Sequence, residues 1–465
     1  MPEESTVIGY VGLPITNVKF TIYLKRDCYV TLGEIIQVED ESTGVTILGQ
    51  ITDVKLMPLH EAKHVSVDFL LRGFVDVNRL LIVTANARVL GALDRTGKII
   101  STWVTKPGLP VKRAEARYVR RILFVPDGLM IRIGSLIGNE DVNVTISANR
   151  LLRSCTIILG ETGTGKTFTA SVVATELLKR KRDIAVIIFD EYGEYNDIIG
   201  INQEEVIYIR GEEIELDISE IGAHALSKML NLTEVQTHIL DEALSTLPPG
   251  AHSIHDIIDA VRGLRGAHPV AKSSLCRRLY SLLGYLTPEG RVKHVTEIVK
   301  PGRISIIDLR DLNTEAKQLL LAWVLNSTLK LRMQNKLSPV LFILERASIY
   351  ASPEEDAVSK PVLQEAILKG RKLQIGLIMI ERRPADIDSK IMSLCDIALI
   401  HRIGNPYDQR MLAKGLSFIT REVLREVSLL GSGEAILCGC VVRSPVIIRI
   451  RRGLMMGRQD DHRKG

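Results

Sequence analysis

The spacing of apolar residues changes near residue 129, and the two patterns predict two kinds of structure. Up to about residue 92, short apolar runs of β type alternate with turn signals such as Gly44 and Gly49. Short, evenly spaced strands of this kind are typical of a small β-barrel. The runs that carry this prediction are 7–11, 20–24, 34–38 and 45–48.

Beyond a connector at 93–128 that contains basic clusters, apolar runs alternate with helical segments. Near-continuous apolar runs are typical of strands buried on both faces of a parallel sheet. We therefore predict an α/β core over 129–450 with a mostly parallel sheet, a helical insertion at about 218–290, and a basic tail at 451–465. The predicted strands of the core are 156–159, 184–189, 303–307, 340–344, 375–380 and 397–400.

Composition narrows the class of protein. Aromatic residues make up 5% of the 465 residues, which argues against base stacking as a main mode of binding, and the net charge of +5 is a weak indication of a polyanionic partner. Six cysteines without a CxxC pair indicate free thiols in a reducing compartment. With no signal sequence and no apolar stretch of membrane-spanning length, we expect a cytoplasmic protein.

The strongest chemical signal is the sequence Gly160-Glu161-Thr162-Gly163-Thr164-Gly165-Lys166-Thr167, a complete P-loop between a predicted strand and a predicted helix. Its backbone N–H groups and the helix N-terminus would surround phosphates, Lys166 would contact the β- and γ-phosphates of ATP, and Thr167 would ligate Mg²⁺. The alternative, a chance match in a glycine-rich loop, does not explain the strand–loop–helix context. The residues predicted to bind the nucleotide are Gly160, Thr162, Gly163, Thr164, Gly165, Lys166, Thr167, Phe168 and Asp190.

Acidic residues follow two further predicted strands. Asp190 and Glu194 come after the strand that follows the P-loop helix, where carboxyl ends of parallel strands face a ligand crevice. They would approach metal, water or a neighbouring subunit, or else simply cap the strand at the surface. Glu345 ends the strand 340–344, the position of a second metal-coordinating acid, so we predict Thr167 and Glu345 as ligands of Mg²⁺.

The residue after Glu345 is Arg346, where a carboxylate that polarises the attacking water is expected. A guanidinium stays protonated and accepts no hydrogen bond, so it cannot act as a general base. Arg346 would either grip the γ-phosphate, pair with Glu381 from the next strand, or make an ordinary salt bridge away from the nucleotide.

In the order and spacing of its motifs, the chain resembles the archaeal HerA helicases of the HerA–FtsK superfamily. The matching segments are 8–11, 132–138, the P-loop, Phe189-Asp190 with 193–195, 370–372, Arg383-Pro384 and 433–436. The resemblance implies an N-terminal barrel of the HAS type, a RecA-like core and a homohexameric ring that threads duplex DNA. It also implies work in DNA end processing with a nuclease of the NurA type. Arg371, in Gly370-Arg371-Lys372, would act as an arginine finger on the neighbouring subunit's nucleotide, or else be a surface arginine.

Three departures from the family pattern concern hydrolysis. After the fourth core strand the family carries two acids, where this chain has Glu345-Arg346. After the next strand the family carries Ser-Gln-Arg-Pro, where this chain has Glu381-Arg382-Arg383-Pro384. The family also carries an arginine at the position of Leu368. One hypothesis is an active ATP-driven DNA translocase in which Glu381 or Glu194 positions water, with Glu345, Glu194, Glu381 and Arg371 as catalytic residues. Another is a paralogue that hydrolyses ATP poorly and serves as a structural or regulatory ring or as a partner of an active HerA homologue. A pumping ATPase of the conjugation or packaging type is a third.

Overall fold

The computed structural model describes most of the chain. The described residues are 7–58, 81–100, 103–180, 183–195, 198, 204–216, 221, 223, 226–227, 230–248, 253–282, 292, 294–354 and 357–451. Apart from Arg451, the tail predicted as basic lies outside them, as does part of the predicted helical insertion. Within the described residues, no helix is both long and apolar enough to cross a bilayer.

The elements of the described residues follow in chain order. The strands are β1 (Val7–Ile15), β2 (Lys19–Leu24), β3 (Ile35–Asp40), β4 (Val45–Pro58), β5 (Leu81–Leu93), β6 (Ile99–Ile100), β7 (Pro110–Arg113), β8 (Met130–Leu136), β9 (Asn139–Ser147), β10 (Cys155–Leu159), β11 (Ala185–Asp190), β12 (Val206–Arg210), β13 (Ile304–Asp308), β14 (Val340–Leu344), β15 (Ile375–Glu381), β16 (Ile397–Ile400), β17 (Glu434–Gly439) and β18 (Val446–Ile450). The helices are α1 (Ala116–Leu123), α2 (Ala148–Leu151), α3 (Lys166–Arg180), α4 (Glu234–Thr246), α5 (Ile254–Gly263), α6 (Pro269–Ser281), α7 (Val295–Ile298), α8 (Thr314–Met333), α9 (Ser348–Ala351), α10 (Ser359–Leu373), α11 (Ser389–Met392), α12 (Pro406–Gly415) and α13 (Arg421–Val427).

The N-terminal strands form a closed barrel, as the alternating pattern predicted. The strand order is β2-β1-β7-β3-β4-β5, and β2 pairs with β5 to close the ring. Alternate side chains fill the interior, among them Phe20, Ile22 and Ile47, which are almost completely buried. The barrel extends beyond residue 92, because β7, in the segment predicted as the connector, pairs with both β1 and β3. This short Pro-Val-Lys-Arg strand has no apolar alternation by which the sequence could mark it.

The core is one mixed sheet whose order, among the described residues, is β12-β13-β11-β14-β15-β10-β16-β17-β18-β8-β9. The strands from β12 to β16 run parallel, and the remaining pairs are antiparallel. Both faces of the parallel part are covered: Ile157 and Leu159 of β10 pack in one apolar cluster, and Ile158 between them packs in the other. This two-sided burial explains the near-continuous apolar runs.

The barrel and the core share a buried contact. The side-chain amide of Asn139, at the start of β9, accepts from the backbone N–H of Ile35 at 2.7 Å and donates to its carbonyl at 3.2 Å. Ile35 and Leu48 of the barrel belong to the same apolar cluster as Ile131 and Leu136 of β8. Within the predicted insertion, the structure places the helices α4, α5 and α6, whose buried faces join the cluster on the other side of the sheet.

Candidate functional site

The P-loop connects β10 to α3 at the carboxyl edge of the parallel sheet. Gly163 (φ +76°) and Gly165 (φ +102°) adopt backbone conformations that L residues rarely adopt, and open space surrounds the position where a Cβ of Gly163 would be. Neighbouring segments fix the turn: the Thr164 hydroxyl donates to the Glu161 carbonyl at 2.7 Å, and the Gly433 N–H donates to the Thr164 carbonyl at 3.0 Å. The loop is therefore held in place by the protein itself.

Lys166 and Thr167 begin α3 and face a cleft of about 580 Å³. The Lys166 ammonium donates to the Glu161 carbonyl at 2.9 Å. Burial lowers the pKa of Lys166, while the carboxylates of Glu345, Glu381 and Glu194 oppose that shift. The Thr167 hydroxyl donates to Glu194 at 2.8 Å.

The cleft brings together most of the residues predicted from the sequence. Its lining combines the phosphate-binding loop with the ends of β14 and β15 and the turn after β11. The predicted residues that line it are Thr162, Gly163, Gly165, Lys166, Thr167, Phe168, Glu194, Glu345 and Glu381, together with Arg346 and Arg382.

Asp190 does not line this cleft. Its carboxylate is buried and accepts from the backbone N–H groups of Tyr192, Gly193 and Glu194 at 2.8–3.2 Å, with Tyr195 at 3.5 Å. Burial nevertheless raises its pKa, against these hydrogen bonds. Asp190 thus orders the turn that presents Glu194, and its predicted role in binding the nucleotide stays a prediction.

Glu345 is the buried acid of the site. It follows the last residue of β14, is 5% exposed, and accepts from the Tyr195 hydroxyl at 2.8 Å. Burial raises the pKa of Glu345 to about 7, although hydrogen bonds from Tyr195 and Thr167 oppose the shift. Glu345 therefore lies close to both Thr167 and Lys166, as its predicted role requires.

Arg346 has a different partner from the predicted Glu381. Its guanidinium lies 3.6 Å from Glu191, whose carboxylate also accepts from the ammonium of Lys317 at 2.9 Å. Both oxygens of Glu381 instead accept backbone N–H groups, from Ser348 at 2.9 Å and from Arg382 at 2.6 Å. Arg346 therefore does not pair with Glu381, whose carboxylate accepts instead from the backbone of Arg382 and of Ser348, the first residue of α9. No pattern in the sequence indicates the role of Glu191, because its partner Lys317 is 126 residues away.

His401, at the end of β16, was also missed by the sequence analysis. It is fully buried beneath the P-loop, with Nε2 3.0 Å from the hydroxyl of Thr169. Burial lowers the pKa of His401 to about 4, so the ring is neutral at physiological pH. A Cβ on Gly160 would lie 2.6 Å from the Cβ of His401, which explains a glycine at the first P-loop position.

Arg371 lies at the other edge of the sheet. It is near the end of α10, is mostly exposed, and pairs with Asp396 at 2.6 Å, just before β16 begins. Within this subunit it is therefore at the amino ends of the strands, away from the cleft. Its predicted role on a neighbouring subunit stays a prediction.

The donor atoms around Thr167 fit Mg²⁺ bound together with ATP. The Thr167 hydroxyl and the carboxylates of Glu194 and Glu345 line the same cleft and are hard oxygen ligands of the kind that Mg²⁺ prefers. No cluster of three or more His, Cys, Asp or Glu suited to a metal occurs in the described part of the chain. A nucleotide-bound Mg²⁺ needs fewer protein ligands, since phosphates and waters supply the others.

Comparison with known proteins agrees with this geometry. Residues 131–329 match the model of the central domain of the helicase HerA. A probable helicase of Methanocaldococcus jannaschii is 23% identical over 96% of this chain and 91% of its own length. The DNA double-strand break repair helicase HerA of Saccharolobus solfataricus is 26% identical over 98% of this chain and 94% of its own length.

A solved structure supports the fold. The structure of VirB4 of Thermoanaerobacter pseudethanolicus superposes with a TM-score of 0.56 at 15% identity, covering 71% of this chain and 99% of that one. At this identity the likeness concerns the fold alone, a P-loop ATPase core. The matches to helicases extend over nearly the whole chain, barrel included, and over this length the chain is similar to HerA-type DNA helicases.

Proposed function

We propose that this protein binds ATP with Mg²⁺ in the cleft between the P-loop and the ends of β14 and β15, and that it works as a ring-shaped translocase on duplex DNA. The observation that carries the proposal is the placement of Lys166, Thr167, Glu345 and Glu194 around one cleft. Lys166 and the P-loop backbone would hold the phosphates, and Thr167 and Glu345 would ligate the metal. When bound, Mg²⁺ supplies positive charge that stabilises the phosphoryl oxygens.

The DNA part of the proposal rests on the relatives, several of which are named as DNA double-strand break repair helicases. We infer a homohexamer that encircles the duplex and acts in DNA end processing, with a nuclease of the NurA type as partner. Contacts to the DNA would be mainly with phosphates, given the basic balance of charge and the scarcity of aromatic residues.

Steady-state hydrolysis measured with and without blunt duplex DNA, alongside DNA binding at several salt concentrations, tests the proposal. The expected result is ATP binding together with duplex binding that weakens steeply with salt and depends little on sequence. Failure to bind ATP would refute the nucleotide site, whereas duplex binding unchanged at high salt would refute the phosphate-contact model.

The ring has its own test. In mixtures of Arg371→Ala and Lys166→Ala subunits, an interface between an intact P-loop and an intact Arg371 re-forms if Arg371 acts on its neighbour. Recovery of activity in the mixture, absent from either variant alone, is the expected result. If no mixing ratio restores activity, Arg371 does not act across subunits.

A second candidate is a HerA-like ring that holds ATP and hydrolyses it poorly, as a structural or regulatory subunit or as a partner of an active homologue. Arg346 favours it, because a guanidinium paired with Glu191 stands where the family carries a second acid. The first candidate needs Glu381 or Glu194 to position water, and both line the cleft. Brisk hydrolysis stimulated by DNA would select the first candidate, and persistent ATP binding without turnover would select the second.

A further inference from the structure

Arg346 lies in the wall between two clefts. On one side is the nucleotide cleft, and on the other is a cleft of about 530 Å³ lined in part by Glu191, Asn313 and Lys317 from β11 and the start of α8. The Arg346 side chain lines both of them. It can therefore reach a ligand on either side with a change of side-chain rotamers.

The backbone fixes the place from which this side chain extends. Arg346 has φ +48°, a left-handed conformation that is uncommon and strained for a residue with a long side chain. Backbone hydrogen bonds on both sides maintain it: the Ala347 N–H donates to the Ile380 carbonyl at 2.9 Å, and the Ile349 N–H donates to the Arg346 carbonyl at 3.0 Å. Such conformations persist where the surrounding structure determines them, and they concentrate at functional sites.

The guanidinium is held loosely, whereas its partner is held firmly. Half of the Arg346 side chain is exposed, and its 3.6 Å separation from Glu191 exceeds the length of an ordinary N–H···O hydrogen bond. Glu191 and Lys317 are both more than nine-tenths buried and are joined at 2.9 Å. If the Arg346 guanidinium moves away, Lys317 still neutralises Glu191, so that no buried charge is left unpaired.

From these contacts we propose that Arg346 distinguishes ATP from ADP: it binds the γ-phosphate when ATP fills the cleft and returns to Glu191 when the third phosphate is missing. This inference rests on the proposed nucleotide site and adds a residue that selects between nucleotides. A guanidinium offers several donors in a plane and binds phosphate oxygens in a bidentate manner. Glu191 acts as a positioning residue, because it competes with the γ-phosphate for the same cation.

The test compares the affinities for ADP and for a β,γ-imido analogue of ATP, which is not hydrolysed, by calorimetry with Mg²⁺ on the full-length chain. The wild type should bind the analogue at least about tenfold more tightly than ADP, the lower end expected for a charged hydrogen bond to phosphate. Arg346→Asn removes the cation and retains a residue that tolerates a positive φ. It should lower the ratio of the two affinities about tenfold, leaving the preference that Lys166 and Mg²⁺ supply, and keep the affinity for ADP within about twofold.

Two further variants sharpen the result. Arg346→Lys should restore part of the preference, since it restores the charge without the planar donors. Glu191→Gln should raise the affinity for the analogue, and it should have no such effect when combined with Arg346→Asn. Arg153→Asn, the same change at an exposed turn before β10 at the amino edge of the sheet, is the matched control and should leave the ratio unchanged.

The outcomes separate this inference from the proposed function. If the wild type binds neither ADP nor the ATP analogue, the nucleotide site itself is refuted. If it binds both and Arg346→Asn keeps the wild-type ratio, the nucleotide site stands and the role of Arg346 is refuted. An effect of Glu191→Gln that persists in the Arg346→Asn background would show that Glu191 acts by another route.

Discussion

The two walls of the nucleotide cleft differ in how closely they keep to the family pattern. The P-loop wall carries every expected residue, with Lys166 and Thr167 at the start of α3 and His401 supporting the loop from below. The opposite wall, at the ends of β14 and β15, keeps Glu345 but replaces a second acid with Arg346. In the proposed function, binding of phosphate would depend mainly on the first wall and activation of water on the second. Substitutions in the second wall can therefore remove hydrolysis without removing the binding of ATP.

The largest effect should follow a change in the P-loop wall. Lys166→Ala removes a charged donor from the phosphates, which we expect to cost about 3 kcal/mol, or roughly a hundredfold in affinity for ATP. Titration with labelled nucleotide measures it. Lys179→Ala, in the last turn of the same helix and partly exposed, is the matched control. An unchanged affinity in Lys166→Ala would mean that the site lies elsewhere.

A smaller effect, of opposite sign, should follow a change in the other wall. If Arg346 suppresses hydrolysis, as the second candidate requires, the wild type should turn over very slowly even with saturating DNA. Arg346→Glu should then raise kcat by about tenfold, less than the roughly 10²- to 10⁴-fold of a well-placed general base, because the neighbouring groups are not arranged for this carboxylate. The gain stays small if Leu368 and Arg382 also limit turnover. Fast hydrolysis by the wild type would contradict suppression by Arg346.

Fast hydrolysis by the wild type would require a comparison between Glu381 and Glu194, the two acids that could position the water. If the wild type is active, Glu381→Gln should abolish the activity and Glu194→Gln should spare it, provided that Glu381 positions the water. Glu381 lies in the altered wall beside Arg346, whereas Glu194 is bonded to Thr167 on the P-loop side. The reverse result would transfer the role to Glu194 and place binding and activation in the same wall.

The difference between the two walls also explains which features could be predicted from the sequence. The strands β14 and β16 have the bounds that their apolar runs predicted, and the P-loop lies where the motif placed it. Local patterns determine these features. The edge strand β12 was not predicted, because it is half-exposed and carries Tyr208 and Arg210 among its apolar residues.

Side-chain partners in the altered wall depend on distant contacts. Glu191 turns towards Lys317 on α8, and Glu381 turns towards the backbone of Ser348, so Arg346 pairs with the first and not the second. Asp190 and Glu194 belong to one acidic segment, yet one orders the turn and the other faces the cleft. No spacing in the sequence distinguishes these roles, because each is decided by the element that packs against the residue.

The smallest expected effect concerns stability and Glu345, the acid that the altered wall retains. Glu345 has a folded-state pKa of about 7 against a reference value of 4.5, so the folded protein holds a proton there that the unfolded chain gives up. The stability associated with this proton is complete below pH 4.5, falls as the pH rises towards 7, and is absent above it. Glu345→Gln removes the titration but keeps an acceptor for the Tyr195 hydroxyl.

In the absence of nucleotide and metal, Glu345→Gln should therefore leave the free energy of unfolding nearly unchanged at pH 5 and should raise it at pH 8. The shift sets an upper limit of about 3 kcal/mol, and the imperfect fit of an amide in this site reduces the expected gain to about 1 kcal/mol, or roughly one degree in Tm for a chain of this length. Thermal unfolding with EDTA at both pH values measures it, with Glu365→Gln, a partly exposed side chain of α10, as the control. A difference that does not change with pH would mean that Glu345 is ionised in the folded protein at both values. With Mg²⁺ and ATP present, the wild type should instead be more stable than Glu345→Gln, because the amide cannot replace the carboxylate as a metal ligand. That reversal would indicate that Glu345 is buried at a cost in stability because it binds the metal.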